Sequence, residues 1–198
     1  MTPLIRLGGW AGPLCALVLL LNAGRRAGIL PDTHLGHAVA PLGQVFGLLL
    51  ILGLYARHAD HPPRLLVPAF VAGLTGLTAV LGVEYILNLV YPELPTAQVA
   101  VLQAGFTGAA LKVSSILFLV GILAFGTLML SAGRLPRLPV VLYVVGFTCV
   151  ALRVILPTWV LPLAVAIGAV AVLWLGVELL RKGATPSAVQ RSLKSKVD

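Results

Sequence analysis

The chain has 198 residues, of which 59% are hydrophobic and only 10% are charged, and its mean hydropathy is +1.04. Soluble globular domains contain about 25% charged residues, so the composition excludes an ordinary soluble domain and predicts an integral membrane protein. The formal net charge of +8 does not predict a nucleic-acid partner, because the basic residues stand at the ends of apolar segments. Membrane topology and anionic lipid account for charges in those places.

Apolar runs without charges recur along the chain, and most approach the roughly 20 residues that a helix needs to cross a bilayer. A spanning segment must satisfy its backbone hydrogen bonds internally, and the sequence shows no strand-like alternation, so an all-α bundle is predicted. The transmembrane domain is expected over residues 1–182 and a flexible basic tail over 183–198. Six transmembrane helices are predicted, at about 7–24, 35–56, 65–91, 97–131, 139–156 and 160–181.

The basic residues predict the orientation of these helices, because cytoplasmic loops carry an excess of lysine and arginine. With a cytoplasmic N-terminus, ten basic residues fall on the cytoplasmic side and three on the other, while Lys112 lies within the fourth helix. Both termini are therefore expected in the cytoplasm, where the basic tail would meet anionic lipid. The first apolar run is expected to be retained as a helix rather than cleaved as a signal peptide. The ten basic residues expected on the cytoplasmic side are Arg6, Arg57, Arg64, Arg134, Arg137, Arg181, Lys182, Arg191, Lys194 and Lys196. The three expected on the other side are Arg25, Arg26 and Arg153.

All four histidines lie in two similar pairs, His34 with His37 in "HLGH" and His58 with His61 in "HADH". Histidines three residues apart share one helix face and are good zinc or iron ligands. The two pairs bracket the second predicted helix, so they are expected about 30 Å apart, at opposite membrane surfaces, and cannot share one ion. His34 and His37, with Asp32, are weak candidates for a metal site, and interfacial polar side chains are the favoured interpretation. No cofactor is predicted.

The third predicted helix contains the clearest candidate for a functional side chain. Glu84 is an isolated acid within an apolar segment, about seven residues from the outer end of that helix. A charged residue near the bilayer centre costs about 2.5–3.5 kcal/mol on insertion scales, so Glu84 is expected to have a partner or to carry a proton. Lys112 in the fourth helix and Arg153 in the fifth lie at comparable depths. A pair between Glu84 and one of these two cations is therefore predicted.

Further polar side chains are expected at the same depth, where they would line a pocket that opens outward. Asn88 lies one helical turn beyond Glu84 on the same face, Tyr85 is its neighbour, and Gln44 enters from the second helix. A structural ion pair that fixes helix packing is the alternative interpretation of the same cluster. No catalytic residue is assigned. The predicted ligand-binding residues are Glu84, Asn88, Lys112, Arg153, Gln44 and Tyr85.

Local signals in the second half mark the predicted helix ends. The fourth helix would measure about 50 Å at about 1.5 Å per residue, so it is expected to bend near Gly105 and Gly108 or to begin with an interfacial turn. Gly133 is expected to close this helix. Pro157 is expected to end the fifth helix and Pro162 to lie in the first turn of the sixth, which makes these two a hairpin with a very short loop.

The second half also carries a recognisable set of features. They are the Ser131–Gly133 turn, Leu135–Pro136–Arg137, Gly146, Pro157 and the Leu173–Trp174–Leu175 stretch before Gly183. In these features the chain resembles a widespread bacterial family of small six-helix membrane proteins described as a domain of unknown function. Members of that family often carry an acid one or two turns before the tryptophan, where this chain has "AVAIGAVAV". The resemblance implies a six-helix fold and a bacterial cytoplasmic membrane location, and it implies no activity.

Three interpretations of the function remain open. In the first, the cluster binds or moves a small anionic or amphipathic ligand, or relays a proton. In the second, the protein is a membrane enzyme acting on a lipid or isoprenoid, with Glu84 as general acid in a closed apolar pocket. In the third, it is a structural or accessory subunit without a ligand, and its ion pair is dry and satisfied. Transport would favour a homodimer, because 198 residues are few for alternating access within one copy.

Overall fold

The computed structural model describes residues 2–60 and 62–183. The predicted tail and His61 lie outside these residues, apart from Gly183 at the end of the last helix. The described residues are mostly helical and contain no strand, which confirms the all-α prediction. Their α-helices are α1 Pro3–Arg26, α2 His34–Val39, α3 Leu42–Arg57, α4 Pro63–Tyr85, α5 Thr96–Ala104, α6 Phe106–Ala132, α7 Arg137–Ala151 and α8 Val160–Gly183. A π-helical turn, Ile86–Val90, and a 3₁₀ turn, Tyr91–Glu93, follow α4 directly.

Within the described part of the chain, five helical segments are long and apolar enough to cross a membrane. The seventh helix is apolar but has only 15 residues. It ends at Ala151, five residues before the predicted end at 156, and a turn closed by a 3.0 Å bond from Ile155 N to Leu152 O follows. Pro157 disfavours helical geometry only in the residue before it, Leu156, so it does not account for the end at Ala151. The five segments that are long and apolar enough to cross a membrane are Pro3–Arg26, His34–Arg57, Arg64–Glu93, Phe106–Ala132 and Val160–Arg181.

The predicted bend in the fourth helix is confirmed and is a complete break. Gly105, with φ −93° and ψ −157°, separates α5 from α6 in an extended conformation. Gly108 follows inside the first turn of α6, where a Cβ atom would collide with the carbonyl oxygen of Gln103. The short helix α5 therefore folds closely against the start of α6. Gly133, at φ +62°, closes α6 in the left-handed conformation, as predicted.

The long helices form a closed ring, in which α1 contacts α3 and α8, α4 contacts α3 and α6, and α7 contacts α6 and α8. Several of these contacts are made at glycines. A Cβ on Gly12 of α1 would lie 2.6 Å from the Gly176 Cα of α8, and a Cβ on Gly76 of α4 would lie 2.8 Å from the Phe118 Cα of α6. Helices in lipid associate by such close packing, because no water is released to drive them together.

Candidate functional site

Glu84 lies in the last turn of α4, and its side chain is only 8% exposed. Two arginines approach its carboxylate from different sides. Arg26, the last residue of α1, places Nη2 3.8 Å from Oε2, and Arg153, in the turn after α7, places Nη1 3.9 Å from Oε1. Both distances exceed the 2.7–3.2 Å of a hydrogen bond, so the contacts are electrostatic. The structure thus brings Arg153 to Glu84, together with a second cation that the sequence did not suggest.

Asn88 holds the carboxylate in place from the π-helical turn. This residue is 3% exposed, and its Nδ2 donates 2.9 Å hydrogen bonds both to the Glu84 backbone oxygen and to Oε2 of the same residue. Its Oδ1 accepts a hydrogen bond from Arg25 Nη2. Short π-helical turns occur frequently at functional sites. Here the turn places one amide side chain between a carboxylate and a guanidinium.

Arg25 carries the network from the bundle to the segment before α2. Besides Asn88, its guanidinium donates to Asn22 Oδ1 at 3.2 Å and lies 3.5 Å from Asp32 Oδ1. The same Asp32 oxygen lies 3.0 Å from Nε2 of His37. Continuous polar contacts therefore run from Glu84 to the exposed Asp32.

Sequence reasoning assigned Arg25 and Arg26 to membrane topology alone and did not connect them with Glu84. One signal was present, because Asn22 precedes them by three and four residues and can accept from both on one helix face. In the structure Asn22 Oδ1 accepts from Arg25 and, at 3.3 Å, from Arg26 Nε. An amide that orients two adjacent arginines indicates a role beyond charge balance.

Lys112 does not contact Glu84 within the described residues, so the alternative pair is not formed. It lines instead a cavity of about 390 Å³ that we call the basic cavity. This cavity is bounded by three cations, Arg26, Lys112 and Arg153, that come from the end of α1, from α6 and from the turn after α7. Its remaining lining is Leu87, Gln103, Gly108, Leu111, Ser115 and Val154. Burial lowers the pKa of the Arg153 guanidinium and Glu84 opposes that change, but a guanidinium stays charged at neutral pH.

A second cavity, of about 350 Å³, shares Arg26 and Leu87 with the basic cavity. Its other lining residues are Arg25, Asp32, His37 and Asn88, so it is polar and contains a carboxylate. The basic cavity has apolar residues beside its cations and no carboxylate in its lining. The two cavities therefore differ in the ligands that they suit.

Gln44 and Tyr85, two predicted members of the cluster, lie elsewhere. Gln44 lines a small cavity of about 20 Å³ with Cys15 and Tyr143. Tyr85 is 46% exposed and lines none of the cavities named here. Gln44 was placed by depth along its helix, and depth does not determine the direction in which a helical side chain points.

His34 and His37 lie at one end of the segment His34–Arg57 and His58 lies at the other, as predicted, while His61 lies outside the described residues. His37 contacts Asp32, while His58 is fully buried at the end of α3 and its Nδ1 lies 2.7 Å from Leu54 O. In residues 2–60 and 62–183, no three His, Cys, Asp or Glu side chains group as a metal ion requires.

The arrangement around the basic cavity suits an anion with an apolar part. Three cations converge on one space, and the nearest carboxylate, Glu84, contacts two of them without a hydrogen bond. Oxyanions bind where guanidinium and ammonium groups converge in a partly desolvated site. The chain matches no protein-family model, no curated protein and no solved structure, so these contacts are the basis for inferring its function.

Proposed function

We propose that the protein is a multi-pass membrane protein that binds an anionic amphiphile in the basic cavity. The observation that supports this proposal is the convergence of Arg26, Lys112 and Arg153 on one cavity of about 390 Å³. Arg26 and Arg153 are largely buried, with side chains 26% and 19% exposed, whereas Lys112 is exposed. Cations removed from water need compensation by anions or hydrogen-bond acceptors. A single carboxylate at 3.8–3.9 Å compensates the two arginines only in part. A bound anion would complete the site.

The lining of the basic cavity supports an amphiphile rather than a small inorganic ion. Leu87, Leu111 and Val154 stand beside the cations. Val154 is 71% exposed, so an apolar surface continues outward from the cavity. An anionic headgroup would contact the cations while its chain extends along this surface and into the surrounding lipid.

We propose further that Glu84 and Arg153 form a buried ion pair that shapes the cavity wall. Their side chains are 8% and 19% exposed, and Arg26 and Asn88 complete the surroundings of the carboxylate. Glu84 would then orient two of the three cations. The enzyme interpretation has less support, because a general acid must reach the substrate and Glu84 is not among the residues that line the basic cavity.

The proposed topology has six spans, because the short helix α7 is counted in addition to the five long segments. The 15 residues of α7 measure about 22 Å at about 1.5 Å per residue, and a short span is accommodated by local thinning of the bilayer. Six spans place both termini on one side. The asymmetry of basic residues supports a cytoplasmic location for that side in a bacterial cell membrane, with the basic cavity facing the outer leaflet.

Three other proposals accompany this topology. The chain would belong to the bacterial six-helix family that its second half resembles. Its basic tail would contact anionic lipid. A homodimer would be needed if the ligand is transported rather than only bound.

Binding is tested by thermal unfolding of the full chain in zwitterionic detergent. Phosphatidylglycerol is expected to raise Tm by several degrees, and phosphatidylcholine with the same acyl chains is not, because only a ligand that binds the folded state stabilises it. Lys112→Gln should reduce the shift, and Arg64→Gln, which removes an exposed charge from the other end of the bundle, should not. Equal shifts with both lipids would refute the proposal.

Topology is tested separately by single cysteines in a background of Cys15→Ser and Cys149→Ser. Thr158 and Ala59 are exposed at opposite ends of the bundle. A membrane-impermeant maleimide is expected to label Thr158→Cys in intact cells and Ala59→Cys only after permeabilisation. The reverse pattern would invert the orientation, and labelling of both in intact cells would contradict an intervening membrane.

A further inference from the structure

The charges around the basic cavity indicate which class of anionic headgroup it suits. Three positive side chains, Arg26, Lys112 and Arg153, face the cavity, and one carboxylate, Glu84, lies against two of them. The nearest other opposite charges, Arg25 and Asp32, lie 3.5 Å apart and offset each other. An excess of two positive charges remains at the cavity.

Most hydrogen-bond donors of the three cations are also unused, since the structure gives them one side-chain bond in the described residues, from Arg26 Nε to Asn22 Oδ1 at 3.3 Å. Within the described residues, the Arg153 guanidinium makes no hydrogen bond, and its contact with Glu84 at 3.9 Å is too long for one. A guanidinium carries five N–H donors in a planar fork, and its side chain here is only 19% exposed. Lys112 adds three donors and has no ionic partner among the described residues. The site therefore offers many more donors than a carboxylate headgroup, with two oxygens, can accept.

These observations rest on the binding function proposed above and define it further: we infer that the ligand headgroup is a phosphomonoester dianion. Such a group carries a charge of about −1.5 to −2 near pH 7 and three strong acceptor oxygens. Those oxygens point in tetrahedral directions, which suits cations that come from three separate elements of the fold. A phosphodiester or a fatty carboxylate carries one negative charge, and either would leave one positive charge uncompensated.

The apolar lining indicates that the phosphomonoester is carried by a lipid. Leu87, in the π-helical turn after α4, and Leu111, in α6, line the cavity beside the cations. An acyl or isoprenoid chain would lie against them. Inorganic phosphate has the same charge and oxygens without this contact, so it is expected to bind more weakly.

The test compares headgroups on identical chains. The full-length protein is placed in phosphatidylcholine nanodiscs, and its affinity is measured for dioleoyl phosphatidic acid, dioleoyl phosphatidylglycerol, oleate and inorganic phosphate. Phosphatidic acid is expected to bind at least tenfold more tightly than each of the others. Lys112→Gln is expected to reduce that preference to about threefold or less, because it removes one of the two excess charges. Arg64→Gln should leave the preference unchanged.

The outcomes separate the inference from the proposed function. Equal affinity for phosphatidic acid and phosphatidylglycerol, both above that of phosphatidylcholine, would overturn the inference of a dianionic headgroup. The proposed binding of an anionic lipid would remain. Inorganic phosphate binding as tightly as phosphatidic acid would support the dianion and overturn the lipid source. If no anion binds above the phosphatidylcholine background, both the inference and the proposed function fail. An unchanged Tm for Lys112→Gln without ligand would show that any loss of binding is not a loss of folding.

Discussion

The two ends of the bundle both pair arginines with acids, but they do so in different ways. At one end, Arg134 donates to Asp60 Oδ2 at 2.9 Å and to the Arg57 backbone oxygen at 3.2 Å, and the Asp60 side chain is 81% exposed. At the other end, Glu84 is 8% exposed and its arginines stay 3.8–3.9 Å away. The first is a short surface contact that fastens a loop. At the second end, the carboxylate is buried and the Arg153 guanidinium makes no hydrogen bond among the described residues, as the proposed binding site requires.

The largest expected effect is that of removing the Glu84 charge. In Glu84→Gln, Arg26 and Arg153 lose the one carboxylate that lies within 4 Å of them in the described part of the chain, while the side chain keeps its size. Taking one partner from a buried set of charges destabilises strongly, and partial exposure of the arginines reduces the cost to roughly 2–4 kcal/mol. The measurement is chemical or thermal unfolding in detergent. A loss no larger than that of Asp60→Asn would contradict the difference drawn between the two ends.

Asn88→Ala is expected to have the next largest effect. It removes both hydrogen bonds to Glu84 and leaves Arg25 without one of its acceptors. Buried groups left without partners cost about 1–3 kcal/mol. Unfolding of this variant is compared with that of Gln98→Ala, a matched amide truncation at an exposed position of α5. If both variants lose the same small amount of unfolding free energy, Asn88 does not organise the cluster.

The sequence allowed the depth of this cluster to be predicted but not its complete membership. Glu84, Lys112 and Arg153 were predicted at one depth, because each residue advances a helix by a fixed rise, and of the two candidate cations it is Arg153 that lies 3.9 Å from Glu84. Gln44 lay at a matching depth and yet lines a different cavity. The direction of a side chain around its helix depends on how helices cross, and that depends on contacts such as Gly12 with Gly176, which are distant in sequence.

Two local features at the site were also beyond sequence reasoning. The segment Ile86–Val90 has the apolar composition of ordinary α-helix, and nothing in it marks a π-helical turn. That turn places Asn88 where it bonds both Glu84 and Arg25. Arg25 and Arg26 follow an apolar run, as topological charges do, so their second role becomes visible only once α1 and α4 end side by side.

At the opposite end, Asp60→Asn is expected to cost less than about 1 kcal/mol, because exposed ion pairs are screened by solvent and salt. The asparagine can still accept the hydrogen bond from Arg134. Raising the salt concentration should weaken the wild-type contact and shrink even this small difference. Unfolding at low and high salt provides the measurement. A large, salt-insensitive loss would mean that this end, too, depends on a buried charge.

The smallest expected effect on stability belongs to Lys112→Gln, which should change the unfolding free energy by no more than about 0.5 kcal/mol. Its cation has no ionic partner among the described residues, so the folded bundle loses no ion pair with it. The same substitution removes one of the three cations of the basic cavity. Binding of an anionic lipid should therefore fall while Tm without ligand stays constant, the reverse of the result expected at Asp60. If Lys112→Gln destabilises the protein as Glu84→Gln does, the three cations act as one structural network and the cavity is not poised for a ligand.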